Sequence, residues 1–240
     1  EFVLQIDLAT PGLRLEVTEP NGGLPAGTET DLETTLDFVL RKKAQIGINA
    51  NYFDNSAAAQ SLGSTDVLGI SSSNGNTYSA GHSGFNRVLD ISRENVASIL
   101  TLSSGTPAGL YNAVAGFTIV TGGVPQGATG GSRANRTAVG LDTDADTLLF
   151  VVSNGGFLGR TNFETAATLV EFGASEGIML DGGGSSGLVI DYPDDLLGAR
   201  ELIDSNRRVG NSLIVYVVPE LATWMTMFLG TFCLLLLHRG

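Results

Sequence analysis

Residues 178–191 read IMLDGGGSSGLVID, an acid followed by three glycines and two serines between two apolar runs. Fixing Gly-Gly-Gly costs more backbone entropy than fixing other tripeptides. An ordered role therefore needs a reason, such as a tight turn or a backbone brought close to a ligand. Asp181 places a carboxylate at the head of that segment. A second acidic stretch, DTDAD at 142–146, has the spacing of a calcium loop. Its sixth position is Thr147 rather than Gly and its twelfth is Ser153 rather than Glu, so a hairpin turn is expected instead. No Cys or His cluster suits zinc. No cofactor is expected, although a divalent cation held by carboxylates stays open.

The elements around Asp181 say where it stands. TLLFVVS (147–153) reads as a buried strand and NGGFLGR (154–160) as a loop. TNFETAATLVEFG (161–173) reads as a helix with Thr161 as N-cap, Glu164 at the capping-box position and Gly173 as the stop. GIML (177–180) is a second strand and runs directly into Asp181. Strand, helix, strand predicts a parallel pair joined by a right-handed crossover. Loop 154–160 and Asp181 then share one sheet edge, where open α/β sheets place ligands. The glycine run is expected to floor a site.

Upstream, FVLQIDLATPGLRLEVTEP reads as two strands about a Pro-Gly turn, and TTLDFVLRKKAQ as a helix capped by Thr34 or Thr35. IGINANYF is a strand ending in Asn49 and Asn51, and 56–84 is loop with short strands. RVLDIS, ASILTLS and NAVAGFTIVTGG are further strands. The predicted class is α/β (α+β mixed): one domain with a mixed β-sheet, a central βαβ unit and packed helices.

The chain has 240 residues, 32 of them glycine, which suits a strand- and turn-rich fold rather than a helical bundle. A formal charge of −12 argues against a nucleic-acid partner. The single Cys233 excludes an internal disulfide framework. The sequence starts at Glu1, so a leader, if there is one, is expected ahead of it. From Leu221 to Leu237 no residue is charged. As a helix this run is ~25 Å long, slightly short of a hydrocarbon core of about 30 Å. With Val218, Pro219, Glu220 and Arg239 it resembles the PEP-CTERM sorting signal of Gram-negative bacteria. That resemblance implies an exported protein in the envelope or outside the cell, anchored through 221–237 before any processing. Residues 1–217 would form the domain and 218–240 the tail.

Several motifs together resemble the phosphodiester glycosidase family: LDGGGSS (180–186), NRTAVG (135–140), GRTNFETAATLVEFGA (159–174), NANYF (49–53) and RRVGN (207–211). The family often has Asp-Gly after the central strand, where this chain has Ser153, Asn154 and Gly155. The resemblance implies hydrolysis of a sugar–phosphodiester bond at the anomeric carbon. Ordinary glycosidases need two carboxylates, but a phosphodiester leaves readily without a general acid. The minimal set is one carboxylate and donors for the phosphate.

On that reading Asp181 is the carboxylate, with Glu164 as a second catalytic candidate whose rival explanation is the helix cap. Arg136 is the phosphate fork, and the N–H groups of Gly182, Gly183, Gly184 and Ser185 form an anion nest. Asn49 contacts sugar or phosphate, or else shapes a strand end. His82 is an acid or base, or an exposed loop histidine. Arg207 and Asn211 either serve the site or stitch the structure. The implied partner is a glycosyl phosphodiester. The alternatives are a non-catalytic module that binds anionic glycans and a phosphodiesterase attacking phosphorus.

Overall fold

The computed structural model describes residues 1–127, 129–155, 159–191, 198–205 and 207–218. The tail beyond Val218, with its uncharged run and most of its sorting motif, lies outside them. In chain order the first elements are β1 (Phe2–Asp7), β2 (Leu13–Val17), β3 (Thr30–Asp31), α1 (Thr35–Lys42), β4 (Ile46–Asn49), α2 (Ala57–Leu62) and β5 (Ser64–Thr65). Then come β6 (Ser71–Ser73), β7 (Asn76–Ser79), β8 (Arg87–Ile91), β9 (Ala97–Thr101), β10 (Asn112–Thr121) and β11 (Val124–Pro125). The last are β12 (Arg136–Leu141), β13 (Thr147–Ser153), α3 (Asn162–Glu171), β14 (Glu176–Met179), β15 (Leu188–Ile190), β16 (Arg200–Ile203) and β17 (Ser212–Val217).

The protein is mostly β-sheet, which corrects the expected α/β class. One sheet runs β1-β13-β12-β14-β10-β6-β7, with β8, β9 and β11 joined at β10; a second runs β16-β15-β4-β17-β2. Every pairing between strands of these two sheets is antiparallel among the described residues.

The alternation of β13 shows how the layers form. Leu148, Phe150 and Val152 point into a core shared with Leu15, Val17, Ile48, Leu213 and Val215 of the second sheet. Leu149 and Val151 point the other way, against Ala166 and Leu169 of α3. On the far side of the second sheet, Val189 and Ile214 meet Phe38 and Val39 of α1. The order is therefore helix, sheet, sheet, helix. Both faces of β13 are covered, which explains its unbroken apolar run in an antiparallel setting.

The β13–α3–β14 unit differs from the predicted one. Its two strands point the same way but are not neighbours, because β12 lies between them and is antiparallel to both. The cause is the hairpin at 142–146, where Asp142 Oδ1 accepts the N–H groups of Asp146 and Thr147, both at 3.1 Å. That turn folds β12 against β13, so the α3 connection must step over it. The shared edge survives: Arg136 pairs with Ser153, and Ala138 pairs with Met179. The N-terminal strands also part company, β1 joining β13 and β2 joining β17.

Buried amides tie the sheets together. Asn51 Nδ2 donates to the carbonyls of Leu68, Gly69 and Ile70 at 3.3, 3.4 and 3.0 Å. Its Oδ1 accepts from Ala115 N at 3.1 Å and from Asn211 Nδ2 at 3.2 Å. Asn211 in turn accepts the Asn51 N–H at 2.8 Å, so it stitches the interior and is not at the site. Replacing Asn51 by Leu strands several buried groups at once, each costing about 1–3 kcal/mol. The expected loss is on the order of 3 kcal/mol or more, read as a lower urea midpoint.

Candidate active site

Asp181 is held where the two sheets meet. After β14, the Leu180 N–H donates to Thr137 O at 2.9 Å, and the Asp181 N–H donates to Ala50 O at 2.9 Å. The chain thus crosses from the first sheet to the end of β4. Asn49, fully buried at that end, secures the crossing. Its Nδ2 donates to Asp181 O at 2.7 Å, and its Oδ1 accepts from Thr137 Oγ1 at 2.7 Å and Gly187 N at 3.1 Å. One amide grips both ends of the glycine turn. Asn49 is therefore a positioning residue and not the substrate contact expected: its oxygen is saturated inside the protein.

The Asp181 carboxyl is partly buried. Burial pushes its pKa above the ordinary carboxylate value, although the Ser185 hydroxyl, the Gly182 N–H and the Arg207 guanidinium all favour the charged form. The Gly182 N–H donates to its Oδ1 at 2.9 Å. The buried Ser185 hydroxyl, though close enough to act on the carboxylate, completes no hydrogen bond of normal geometry.

The glycine turn is a single 3-10 turn at Gly183–Ser185, and Gly183 has φ +61°. Its N–H groups do not form the predicted nest. Gly182 N is spent on Asp181, Gly183 N donates to Asn135 O at 2.9 Å, and Ser185 N donates to Gly182 O at 3.2 Å. Among the described residues only Gly184 N, of these four, has no partner. The glycines have another reason to be there. A Cβ on Gly184 would overlap the Arg207 guanidinium, 2.9 Å from both Cζ and Nε. The turn is bare so that Arg207 can lie flat on it.

Arg136, at the start of β12, stands on the same edge. Its Nε donates to Arg160 O at 3.1 Å and its Nη2 to Ser132 O at 2.7 Å. These bonds orient the guanidinium, which pairs with no carboxylate among the described residues. Nη1 lies 3.8 Å from where a Gly182 Cβ would be. Both Arg136 and Asp181 act on Tyr52, whose phenol is pushed up to about 12 by burial and the Asp181 charge, against the pull of Arg136. Its ring stacks on Phe85 at 4.3 Å and 15°, and tilts against Phe117 at 6.2 Å. His82 extends this wall, 5.1 Å from Phe85.

A carboxylate beside two guanidinium groups that form no ion pair among the described residues, walled by aromatic rings, suits a sugar joined to an anion. A family model described as phosphodiester glycosidase matches residues 42–216. The chain belongs to the phosphodiester glycosidase family. Comparison with curated protein sequences returns no match. The fold is shared with the catalytic domain of zebrafish N-acetylglucosamine-1-phosphodiester alpha-N-acetylglucosaminidase, auto-inhibited by its pro-peptide, at TM-score 0.61 and 20% identity, covering 85% of this chain and 73% of that one. It is shared also with a hypothetical protein from Synechocystis (0.59, 15%, covering 90% and 59%). A Burkholderia pseudomallei K96243 protein described as exported has it too (0.58, 16%, covering 89% and 73%).

In this member of the family the second catalytic candidate, Glu164, is committed to structure. Its Oε2 accepts the Thr161 N–H at 3.0 Å, Thr161 Oγ1 accepts the Glu164 N–H at 3.1 Å, and Oε1 pairs with Arg133. The Thr161 N–H bond, with Arg133, holds its pKa below the ordinary range, which leaves it without a proton to donate as a general acid near neutral pH. Among the described residues no second carboxylate acts on Asp181. His82 is exposed, and its Nδ1 accepts the Gly84 N–H at 3.0 Å. It borders the aromatic wall and not the carboxyl. Among the described residues no cluster of His, Cys, Asp and Glu could hold a metal ion. The NANYF motif contains Tyr52, but nothing in the sequence alone assigns Tyr52 or Phe85 to the site. The signal for Tyr52 was its place three residues after Asn49, at a strand end that meets Asp181.

Two consequences can be measured. Glu164→Ala should leave sugar release at the wild-type level while lowering the thermal midpoint through loss of the capping box. Asp181→Asn should stabilise the fold at neutral pH. The folded-state pKa of Asp181 lies above its ordinary 3.8, so stability is fully present below that value and is lost as pH rises through the raised one. Thermal midpoints on either side of that window should show the variant's gain at high pH and none at low pH.

Proposed function

We propose that this protein is an exported hydrolase that cleaves the bond between a sugar's anomeric carbon and a phosphodiester in surface glycans or glycoconjugates. The observation that carries the reading is the Asp181 carboxyl, partly buried at a sheet edge, with Arg207 over the glycine turn at Gly184 and Arg136 beside Gly182. A phosphomonoester leaves when the anomeric bond breaks. Its second pKa is about 6, so the leaving oxygen needs charge stabilisation rather than a strong acid. Two arginines supply that. One carboxylate is then enough to serve the anomeric centre, as nucleophile or as the base for water.

N-Acetylglucosamine is the first sugar to try, because the zebrafish relative acts on an N-acetylglucosamine 1-phosphodiester. Export and anchoring are proposed from the Val-Pro-Glu sequence and the uncharged run 221–237.

The test uses the full-length chain and an α-N-acetylglucosaminyl phosphodiester in oxygen-18 water. Sugar release should place the label on the sugar, and Asp181→Asn should reduce the rate by about 10²–10⁴-fold. Label on the phosphate would mean attack at phosphorus. Full activity of Asp181→Asn would remove Asp181 from the chemistry.

A further inference from the structure

The Tyr52 hydroxyl has no hydrogen-bond partner among the described residues, although its ring is among the most firmly held at the site. Two other phenols are occupied: Tyr78 donates to Thr18 O at 2.9 Å and accepts from Ser71 Oγ at 2.7 Å, and Tyr216 donates to Glu16 Oε2 at 3.2 Å. Tyr52 is fixed from two sides. Its carbonyl accepts the Leu68 N–H at 2.8 Å, and the preceding Asn51 is anchored through both ends of its amide. Its ring lies 4.3 Å from Phe85 and 6.2 Å from Phe117. Phe117 pairs with Met179, two residues before Asp181. Two residues before Tyr52, the Ala50 carbonyl accepts the Asp181 N–H at 2.9 Å. The phenol is thus a firmly held, partly exposed donor within reach of the charges of both Asp181 and Arg136.

We infer that the Tyr52 hydroxyl donates a hydrogen bond to a phosphate oxygen of the substrate, as a third donor beside Arg136 and Arg207. This rests on the glycosyl-phosphodiester reading of the site. Phosphate oxygens only accept, and a phenol that stays neutral through the physiological range always offers its proton. The chemistry gives this donor something to do. As the anomeric C–O bond breaks, its electron pair goes to the phosphate oxygen, and the monoanionic diester becomes a phosphomonoester dianion. Water's oxygen bonds to the anomeric carbon, and its displaced proton goes to Asp181 and then to solvent. A hydrogen bond to the phosphate strengthens as that second charge accumulates. The aromatic stack fixes the ring in advance, so the donor loses little freedom on binding.

The test is Tyr52→Phe in the full-length chain, which keeps the ring and removes only the hydroxyl. Calorimetric titration with inorganic phosphate should give a dissociation constant about 10- to 100-fold weaker than wild type, the scale of a hydrogen bond to a charged group. On the phosphodiester, kcat/KM should fall by at least as much, with the thermal midpoint unchanged. Unaltered phosphate affinity in the variant, or no phosphate binding by the wild type, would overturn the inference. So would a variant that binds phosphate normally but shows a shifted acid limb in its pH–rate profile, since the phenol would then serve Asp181. A wild type that releases no sugar, yet binds phosphate in a Tyr52-dependent way, would instead refute the hydrolase reading and leave the donor in place.

Discussion

The Asn49 amide touches both ends of the glycine turn and both sheets, and most of the site's geometry follows from it. One side donates to the Asp181 carbonyl, and the other accepts from Thr137 on β12 and from Gly187 beyond the turn. Thr137 and Gly187 are buried and Asp181 partly so. An unmade hydrogen bond in that setting costs far more than a made one contributes. The amide therefore specifies one arrangement of the turn among the many that a glycine-rich segment permits. Asp181 inherits its position from that choice.

The same device recurs a few residues away, where Asn51 and Asn211 join β4, β10 and the segment before β6. Apolar packing alone would leave two antiparallel sheets free to slide, because hydrophobic contacts have no direction. Directed amide bonds in the interior remove that freedom. They also fix the sheet edge that carries the site: Arg136 enters on β12, Asp181 beyond β14 and Tyr52 beyond β4, and all three strand ends are bonded to one another.

Local elements were legible in the sequence wherever a signal is local. Thr34 caps α1, Thr161 and Glu164 complete the α3 box, and Asp142 closes the β12–β13 hairpin. Strand partners were not legible, because period-two alternation tells which face a residue takes and not which strand lies beside it. That is why β13 and β14 read as neighbours and why β1 and β2 gave no sign of belonging to different sheets. The six residues of α2 were read as loop, since Ala57–Leu62 is too short and too uniform to show a helical period. At the site, Asp181 and Arg136 announce themselves by type and motif. Tyr52 and Phe85 do not, being 33 positions apart and joined only by stacking. The glycines were noticed for the right property and the wrong purpose: their lack of a side chain admits Arg207 rather than a ring of N–H donors.

The balance of charge around Asp181 bears on what the site can hold. Burial outweighs Arg207 in setting the carboxyl's acidity. Within 4 Å, Arg207 and Asp181 form no ion pair among the described residues. A guanidinium closed onto the carboxylate would favour its charge strongly and neutralise the site. Held apart, with Arg207 resting on the Gly184 backbone and Arg136 tethered to two carbonyls, the cations keep their charge available to an incoming anion. A phosphate between them would lie close to an ionised carboxylate, and that repulsion must be offset by donors fixed before binding. It also sets the orientation. In the proposed reaction a phosphate would be drawn to the arginines and away from Asp181, which would turn the attached sugar carbon toward the carboxylate.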